Sequence, residues 1–168
     1  LGFISKKING ILHLLVQAKI EPGNLNVVQL SPTLQATKSN YTMLHKGKKP
    51  KYLEYFNGEN KVTVLLDQLQ SEQGARFLRK RNRNIIVELD ESENLDQDEN
   101  FIWLTIGQIK RLLKKNNVVN MDTRTVISGI SYGSYSQDSL NLCFSLMKNK
   151  NIDERMLRSA LNVENSFN

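Results

Sequence analysis

The amino-acid sequence predicts an α+β fold, with strands in roughly the first ninety residues and helices after them. Apolar runs bounded by Gly, Pro and Asn turn signals dominate the first part. Helical patterns that begin at capping residues dominate the second part. The chain has 168 residues, of which 39% are hydrophobic and 24% charged, and this is enough for a domain with a buried core. The pattern fits neither a sandwich nor a doubly wound nucleotide fold.

The first two strands are predicted to form a hairpin. Residues 2–8 alternate weakly, and Asn9 and Gly10 are a strong turn signal because both tolerate a positive φ. Residues 11–20 are then predicted to form a strand. This strand ends at residues 21–24, where proline cannot donate to a ladder and the Pro-Gly pair turns the chain.

Shorter elements are predicted between residues 27 and 89. Residues 27–30 are predicted as a short strand, and residues 33–41 as an ordered loop or a short helix. A basic loop and a short amphipathic turn follow at residues 45–56. Residues 61–70 form a strand rich in Val and Leu, and residues 77–89 are predicted as one long strand.

The second part opens with an acidic loop at residues 90–100, where six of the eleven residues are Asp or Glu. Thr105 and Gln108 form a capping box, which predicts the start of a helix. Asp122 is predicted to cap a further helix. Two more helical patterns follow, at residues 139–148 and 153–162.

Composition excludes several kinds of site. The single cysteine, Cys143, cannot form an internal disulfide or a zinc site built on several thiolates. With only His13 and His45, a histidine-rich metal cluster is also excluded, and no metal site is expected. No apolar run approaches the ~20 residues of a membrane span. The net charge of +6 and the pI of about 9.4 favour anionic partners.

The densest chemical signal lies at residues 71–84, which hold five cations. If residues 77–89 are one strand, Arg79, Arg81 and Arg83 share a face with the apolar side chains that follow. Such arginines would line a pocket at the end of the sheet, and buried arginine needs a carboxylate or phosphate partner. A diphosphate site is one interpretation. A basic exposed edge strand and a nucleic-acid patch are the alternatives, although the aromatic residues are not interleaved with these cations.

Other candidate residues each have a structural alternative. Glu72 precedes the basic run and is either a salt-bridge partner or a general acid or base. His13 and Lys19 share a face of the second strand, where a lone histidine is more often an ordinary strand side chain. Residues 30–41 are rich in small hydroxyls and amides, which indicates an ordinary loop or one that binds a polyhydroxylated ligand. Arg124 could reach an anion from the start of a helix.

Several of these segments, taken in order, resemble the NDP-hexose 2,3-dehydratases. The most specific is Gln-Ser-Glu-Gln-Gly at residues 70–74, followed by Arg-Lys-Arg-Asn-Arg-Asn at residues 79–84. The resemblance extends from about residue 1 to residue 130. The other matching segments are residues 10–24, 29–41, 85–87, 103–108 and 120–126.

The resemblance implies a Nudix-like fold, a mixed β-sheet flanked by helices, with additional C-terminal helices. Family members contain two homologous repeats. Residues 1–130 resemble most of the first repeat, which leaves residues 131–168 as a C-terminal helical extension or an inter-repeat linker. Residues 33–56 contain only Glu54 where a Nudix hydrolase carries paired glutamates, so magnesium-dependent hydrolysis is not expected. The chain starts at Leu1 without methionine, and we expect a domain of a longer, cytoplasmic protein.

The resemblance also implies the reaction. Family members act on a dTDP-activated 4-keto-6-deoxyhexose in deoxysugar biosynthesis. A base removes the C3 proton that the C4 ketone acidifies, and the C2 hydroxyl leaves with help from an acid. No cofactor is required, because the ketone already supplies the activation. The candidate catalytic groups are Glu72, His13 and Tyr41, and the candidate substrate-binding residues are Lys19, Gln35, Asn40, Gln73, Arg79, Arg81, Arg83 and Arg124.

Two alternative functions remain open from the sequence. A catalytically silent Nudix-like domain, used for nucleotide binding or dimerisation, would bind a nucleoside diphosphate without turnover. A basic nucleic-acid module would bind oligonucleotides, with affinity that falls steeply as salt is added. From the resemblance we expect a homodimer, with no nucleic-acid partner and no membrane association.

Overall fold

Six strands and two short helices form in the part of the chain that the computed structural model describes, residues 1–37 and 49–130. The strands are β1 (Gly2–Ile8), β2 (Ile11–Ile20), β3 (Val28–Ser31), β4 (Thr63–Ser71), β5 (Arg81–Leu89) and β6 (Phe101–Thr105). The helices are α1 (Ile106–Leu112) and α2 (Met121–Ser128), and Leu53–Tyr55 form a single 3₁₀ turn. The predictions for Asn40, Tyr41, residues 45–48 and residues 131–168 lie outside the described residues.

The predicted hairpin is confirmed between β1 and β2. Asn9 and Gly10 have φ angles of 53° and 75°, and the flanking Ile8 and Ile11 pair directly. Positive φ at both central residues matches the right-handed twist of the two strands. β2 then ends as predicted in a turn, which is closed by a 3.0 Å hydrogen bond from the N–H of Asn24 to the carbonyl of Glu21.

The sheet is mixed, with strand order β3-β2-β1-β5-β4 and β6 beside β2. β1 runs parallel to β5, and the other pairings are antiparallel. α1 directly follows β6, and α2 lies against β3 and β5. The predicted α+β class is therefore confirmed. Because β1 and β5 begin at the edge where β2 and β4 end, residues from all four strands meet there.

Thr33 joins β1 to β2 where their direct pairing stops. The two strands pair from Ser5 to Ile8, and Gly2 exchanges backbone hydrogen bonds with Leu34 instead, at 2.8 and 2.9 Å. The Thr33 hydroxyl accepts a hydrogen bond from the N–H of Ile4 at 3.0 Å and donates one to the carbonyl of Leu15. Both backbone groups are buried, so this side chain satisfies polar groups that the ladder leaves unpaired.

The core lies on both faces of the sheet. On one face, Phe3, Leu14 and Ile86 pack with side chains of the two helices, such as Ile109 and Val126. On the other face, the core consists of sheet residues and the segment around the 3₁₀ turn: Ile4, Leu15, Tyr52, Phe56, Ile85, Val87, Leu89 and Phe101. The alternation along β5 assigns its odd-numbered residues to this second face.

Two predicted element boundaries are wrong. β5 begins at Arg81 and not at residue 77, because the chain turns through Arg79, whose φ is 53°. The cap of α2 is Asn120 and not Asp122. The Asn120 side chain accepts a 2.8 Å hydrogen bond from the N–H of Thr123, which places Asp122 inside the first turn.

The capping box at α1 is confirmed. The Thr105 hydroxyl accepts a hydrogen bond from the N–H of Gln108 at 3.1 Å, and the Gln108 side chain accepts one from the N–H of Thr105 at 2.8 Å. Ile109 is the buried residue of this helix. Among the described residues, neither α1 nor α2 nor any other helix has the length and apolar content needed to cross a bilayer.

Candidate functional site

An open cavity of about 800 Å³ lies at the edge of the sheet where β1 and β5 begin and β2 and β4 end. Its apolar wall includes Leu34, Phe56 and Ile85. Its charged wall consists, among the described residues, of four cations and two carboxylates: Lys19, Lys80, Arg81, Arg83, Glu72 and Asp122. A pocket of this size, with convergent polar groups beside apolar surface, is typical of a small-molecule site.

The alternation of β5 places Arg81 and Arg83 at this cavity. Both lie on the face that continues as Ile85 and Val87 in the core. The two arginines line the cavity together with Leu53 and Phe56 of the segment around the 3₁₀ turn. The predicted long strand is wrong, but the shared face that it implied is present from Arg81 onward.

The two arginines differ in their partners. Arg83 forms two hydrogen bonds to Asp67 on β4, from Nε at 2.7 Å and from Nη2 at 2.6 Å. The charge-assisted hydrogen bond from Arg83 holds the pKa of Asp67 below its usual range. For Arg81, no salt bridge to another described residue is found. The charge of Arg81 is therefore the one that is most available to interact with a bound anion.

Glu72 lies just after β4 and is held in place by two donors. Lys80 Nζ is 2.9 Å from its carboxylate, and Asn82 Nδ2 donates to the same oxygen at 3.1 Å. The N–H of Glu72 also donates to the carbonyl of Lys80 at 3.0 Å. The hydrogen bond from Lys80 lowers the pKa of Glu72, with Asn82 adding to the effect. At neutral pH this side chain is therefore an oriented carboxylate.

A second set of hydrogen-bonded polar side chains at the cavity is centred on Glu21. Its carboxylate lies 3.1 Å from Lys19 Nζ and accepts a hydrogen bond from Gln35 Nε2 at 3.1 Å. Gln35 in turn accepts a 3.3 Å hydrogen bond from Asn120 Nδ2. Burial opposes ionisation of Glu21, but its hydrogen bond with Lys19 holds its pKa below the usual value. Glu21 thereby orients two lining side chains, Lys19 and Gln35.

Asp122 presents a carboxylate to the cavity from the first turn of α2. No hydrogen bond or salt bridge to this carboxylate is found among residues 1–37 and 49–130. Burial raises its pKa, the amino group of Leu1 and Lys19 lower it, and the nearby charges of Glu21 and Glu72 raise it further. Glu72 and Asp122 thus lie in environments that shift their pKa values in opposite directions.

The structure brings together five of the predicted site residues at this cavity: Lys19, Gln35, Glu72, Arg81 and Arg83. Gln73 lines a smaller adjoining cavity of about 120 Å³, which also includes Glu72 and Asp122. Asn40 and Tyr41 lie outside the described residues.

Three predicted residues do not line either cavity. His13 lies six residues before Lys19 on β2, about 20 Å away along an extended strand, and its Nδ1 is bonded to the carbonyl of Ile11 at 2.8 Å. Arg79 lies in the turn before β5. Arg124 donates to the carbonyls of Val119 and Leu113, at 3.3 and 3.1 Å, and so ties α2 to the segment that follows α1.

Sequence reasoning missed Asp122 as a lining residue. Its local signal is a helix start, which favours Asp for its interaction with the helix dipole. Its position at the cavity depends on how α2 packs against β3 and β5, which no local pattern encodes. Among the described residues, no group of three or more His, Cys, Asp or Glu side chains has the arrangement of a metal site.

Comparison with known protein families places the segments that line the cavity within one family. The model of the NDP-hexose 2,3-dehydratase family matches residues 1–130. The chain belongs to this family. The matched region includes all the described residues of the cavity, among them Glu72, Arg81 and Asp122.

Curated relatives of the family support the same membership. The chain is 56% identical over 132 residues to a dTDP-4-dehydro-6-deoxy-α-D-glucopyranose 2,3-dehydratase from Saccharopolyspora spinosa, covering 79% of this chain and 27% of that protein. It is 50% identical over 132 residues to a protein of the same name from Amycolatopsis orientalis, covering 79% of this chain and 28% of that protein. The chain therefore spans little more than a quarter of the length of these relatives.

Two solved structures are similar to the fold described above. One is the C. elegans Ap4A hydrolase, with a TM-score of 0.40 and 11% identity, covering 76% of this chain and 92% of that chain. The other is the C-terminal domain of mouse MUTYH in complex with human PCNA, with a TM-score of 0.41 and 14% identity, covering 83% of this chain and 93% of that chain.

Proposed function

We propose that this chain forms a nucleotide-sugar site of an NDP-hexose 2,3-dehydratase, a lyase that removes water across C2 and C3 of a dTDP-activated 4-keto-6-deoxyhexose. The observation that carries the proposal is the cavity, where predicted catalytic and binding residues from four separate segments of a family member line one space. The names of the relatives supply the substrate class. Residues 1–130 would then be one dehydratase repeat, and residues 131–168 an extension or linker.

The charged wall of the cavity suits a nucleoside diphosphate. Arg81 supplies an uncompensated guanidinium, and guanidinium groups bind phosphate through two parallel hydrogen bonds. Lys80 and Lys19 lie on the same wall, each paired with one glutamate. Arg83, the fourth lining cation, is paired with Asp67, so Arg81 is the lining cation that a bound diphosphate would engage first. Gln35 and Asn82 offer amide groups to the sugar or the base.

Glu72 has the arrangement of a general base in this reaction. Lys80 and Asn82 fix its carboxylate, and its lowered pKa keeps it in the ionised form that can accept a proton at neutral pH. The C4 ketone of the substrate acidifies the C3 proton that such a base removes. Lys19 supplies a positive charge that could stabilise the enolate oxygen formed at C4. His13 has no role in this proposal, because it lies at the opposite end of β2.

The first test is titration calorimetry of the 168-residue chain with dTDP, with single-stranded DNA as the comparison ligand at physiological salt. Saturable one-to-one binding of dTDP, with weak binding of DNA, supports a nucleotide-sugar site. Absence of dTDP binding by a folded chain would contradict it, and tight DNA binding that weakens steeply with salt would favour the nucleic-acid alternative. dTDP binding with no turnover of the sugar nucleotide by the complete enzyme would favour the catalytically silent alternative.

The proposal also includes the oligomeric state and the location of the protein in the cell. We expect a homodimer, which sedimentation analysis of the chain would test directly. A cytoplasmic location follows from the resemblance to enzymes that use nucleotide sugars.

A further inference from the structure

We propose that Asp122 is the acid that protonates the departing C2 hydroxyl, and that it works as a pair with Glu72. This inference rests on the function proposed above. The C2 and C3 atoms of the sugar are bonded neighbours, so the acid and the base must line the same small space. Glu72 and Asp122 meet this requirement, since both line the main cavity and both line the smaller cavity that adjoins it.

The two carboxylates are held in different ways. Glu72 receives hydrogen bonds from Lys80 and Asn82, at 2.9 and 3.1 Å. Asp122 has no such donor among the described residues, and it lies in the first turn of α2, which the Asn120 side chain caps. A half-buried carboxyl group that lines a cavity and receives no hydrogen bond from the described residues can, when protonated, donate its proton to a ligand.

The groups around Asp122 favour its protonated form. Burial is the largest effect, and the carboxylates of Glu21 and Glu72 add to it. Lys19 and the amino group of Leu1 act in the opposite direction. Two carboxyl groups whose surroundings shift their pKa values apart form an acid and base pair, with the raised group as the acid.

The other described side chains of the cavity suit this role less well. Lys19 is paired with Glu21 at 3.1 Å, and the amide of Gln35 does not ionise. Lys80 is occupied by Glu72 and would lose this ion pair on giving up its proton. Among these residues, Asp122 is the one that lines the cavity without a hydrogen-bond donor on its carboxyl group and whose surroundings favour the protonated form.

The proton transfers balance over the whole reaction. Glu72 takes the C3 proton, and the electrons of the C3–H bond form an enolate with the C4 carbonyl. The enolate then expels the C2 hydroxyl, which takes the Asp122 proton and leaves as water, so that a C2=C3 double bond forms and the C4 ketone is restored. The product is an enol at C3. Glu72 returns its proton to C2 while Asp122 removes the proton of the C3 hydroxyl, which gives the 3,4-diketone and restores both carboxyl groups.

The test separates the two proton transfers by hydrogen exchange. Asp122→Asn and Glu72→Gln are introduced into a chimera in which residues 1–130 of this chain replace the matching segment of the S. spinosa relative. Each protein is incubated with the dTDP-4-keto-6-deoxyhexose in D₂O. Deuterium at C3 is followed by NMR and water loss by mass spectrometry, with dTDP affinity and circular dichroism as checks of folding.

We expect Asp122→Asn to lower water loss by about 10²-fold or more while deuterium still enters at C3 and dTDP affinity is unchanged. Glu72→Gln should abolish both exchange and water loss, and Asp122→Glu should restore part of the activity. Water loss near the wild-type rate in Asp122→Asn would overturn the proposal, as would loss of C3 exchange in that variant. A folded wild-type chimera that shows neither exchange nor water loss would instead overturn the proposed function itself.

Discussion

The guanidinium of Arg83 and the carboxylate of Asp67 form a paired contact across β4 and β5, with hydrogen bonds of 2.7 and 2.6 Å. This pair lies beside Arg81, which has no salt-bridge partner in the described part of the chain. The alternation of the strand places Arg81 and Arg83 on the same face, but their partners differ. The charge of Arg83 is balanced by Asp67, whereas no described carboxylate balances the charge of Arg81.

The first prediction is that Arg81→Gln weakens dTDP binding by about 10-fold or more, because one charge-assisted interaction is worth about 1.5–3 kcal/mol. The matched control is the double variant Asp67→Asn with Arg83→Gln, which removes a charge pair and leaves the net charge unchanged. We expect its affinity to change less than threefold, about 0.6 kcal/mol. Calorimetry measures both variants. An equal loss of affinity in both would mean that Arg83 itself binds the diphosphate.

The second prediction concerns the junction of β1 and β2. Thr33→Val should lower the free energy of unfolding by about 1–3 kcal/mol, because it leaves the buried N–H of Ile4 and carbonyl of Leu15 without a partner. Thr63→Val is the control, since Thr63 is exposed, and it should change stability by less than about 0.5 kcal/mol. Urea unfolding measures both. If the two variants changed the free energy of unfolding equally, the hydrogen bonds of the Thr33 hydroxyl would contribute no more to stability than the methyl group that replaces it.

The third prediction concerns the cap of α2. Asn120→Ala should destabilise the chain by about 1 kcal/mol, because the N–H of Thr123 loses its acceptor. It also removes the hydrogen bond that holds Gln35 at the cavity, so dTDP affinity should fall as well. Asn120→Ser keeps a capping oxygen and should restore stability without restoring affinity. Thermal unfolding and calorimetry separate the two effects, and recovery of both would argue against a role for Gln35.

Local patterns predicted the elements whose stabilising contacts are themselves local. The Asn9-Gly10 turn and the Thr105 capping box each depend on residues a few positions apart, and both are present as predicted. The start of β5 was not predicted, because Phe77 and Arg79 continue the alternation while the backbone turns. A strand pattern alone does not reveal that turn, which Glu72 and Lys80 close by a backbone hydrogen bond.

The sequence predicts only part of the cavity, because local patterns do not encode contacts between distant segments. The arginines of β5 were identified because the alternation of a strand reports which face each side chain occupies. The distance of His13 from Lys19 follows from the same geometry, since residues on one face of a ten-residue strand can lie at opposite ends of the sheet. The place of Asp122 depends on the packing of α2 against the sheet, a contact between segments far apart in sequence.

The last prediction is that Glu72→Gln and Asp122→Asn change stability at neutral pH in opposite directions. The pKa of Glu72 is lowered by Lys80 in the folded chain, so its ionised form stabilises the fold above the unfolded pKa, and this contribution is lost as the pH falls through the folded pKa. Glu72→Gln removes that contribution and should destabilise the chain at pH 7. The pKa of Asp122 is raised by burial, so ionisation disfavours the fold once the pH rises above the unfolded value.

Asp122→Asn removes this unfavourable ionisation and should make the chain more stable at pH 7. Below about pH 3, both the folded and unfolded forms of Asp122 are largely protonated, so the gain should disappear there. Urea unfolding at the two pH values measures the difference. A functional carboxyl that costs stability is the expected result of keeping a proton donor at a cavity. If Asp122→Asn is instead destabilising at pH 7, the carboxylate has a stabilising partner, and the case for Asp122 as an available acid fails.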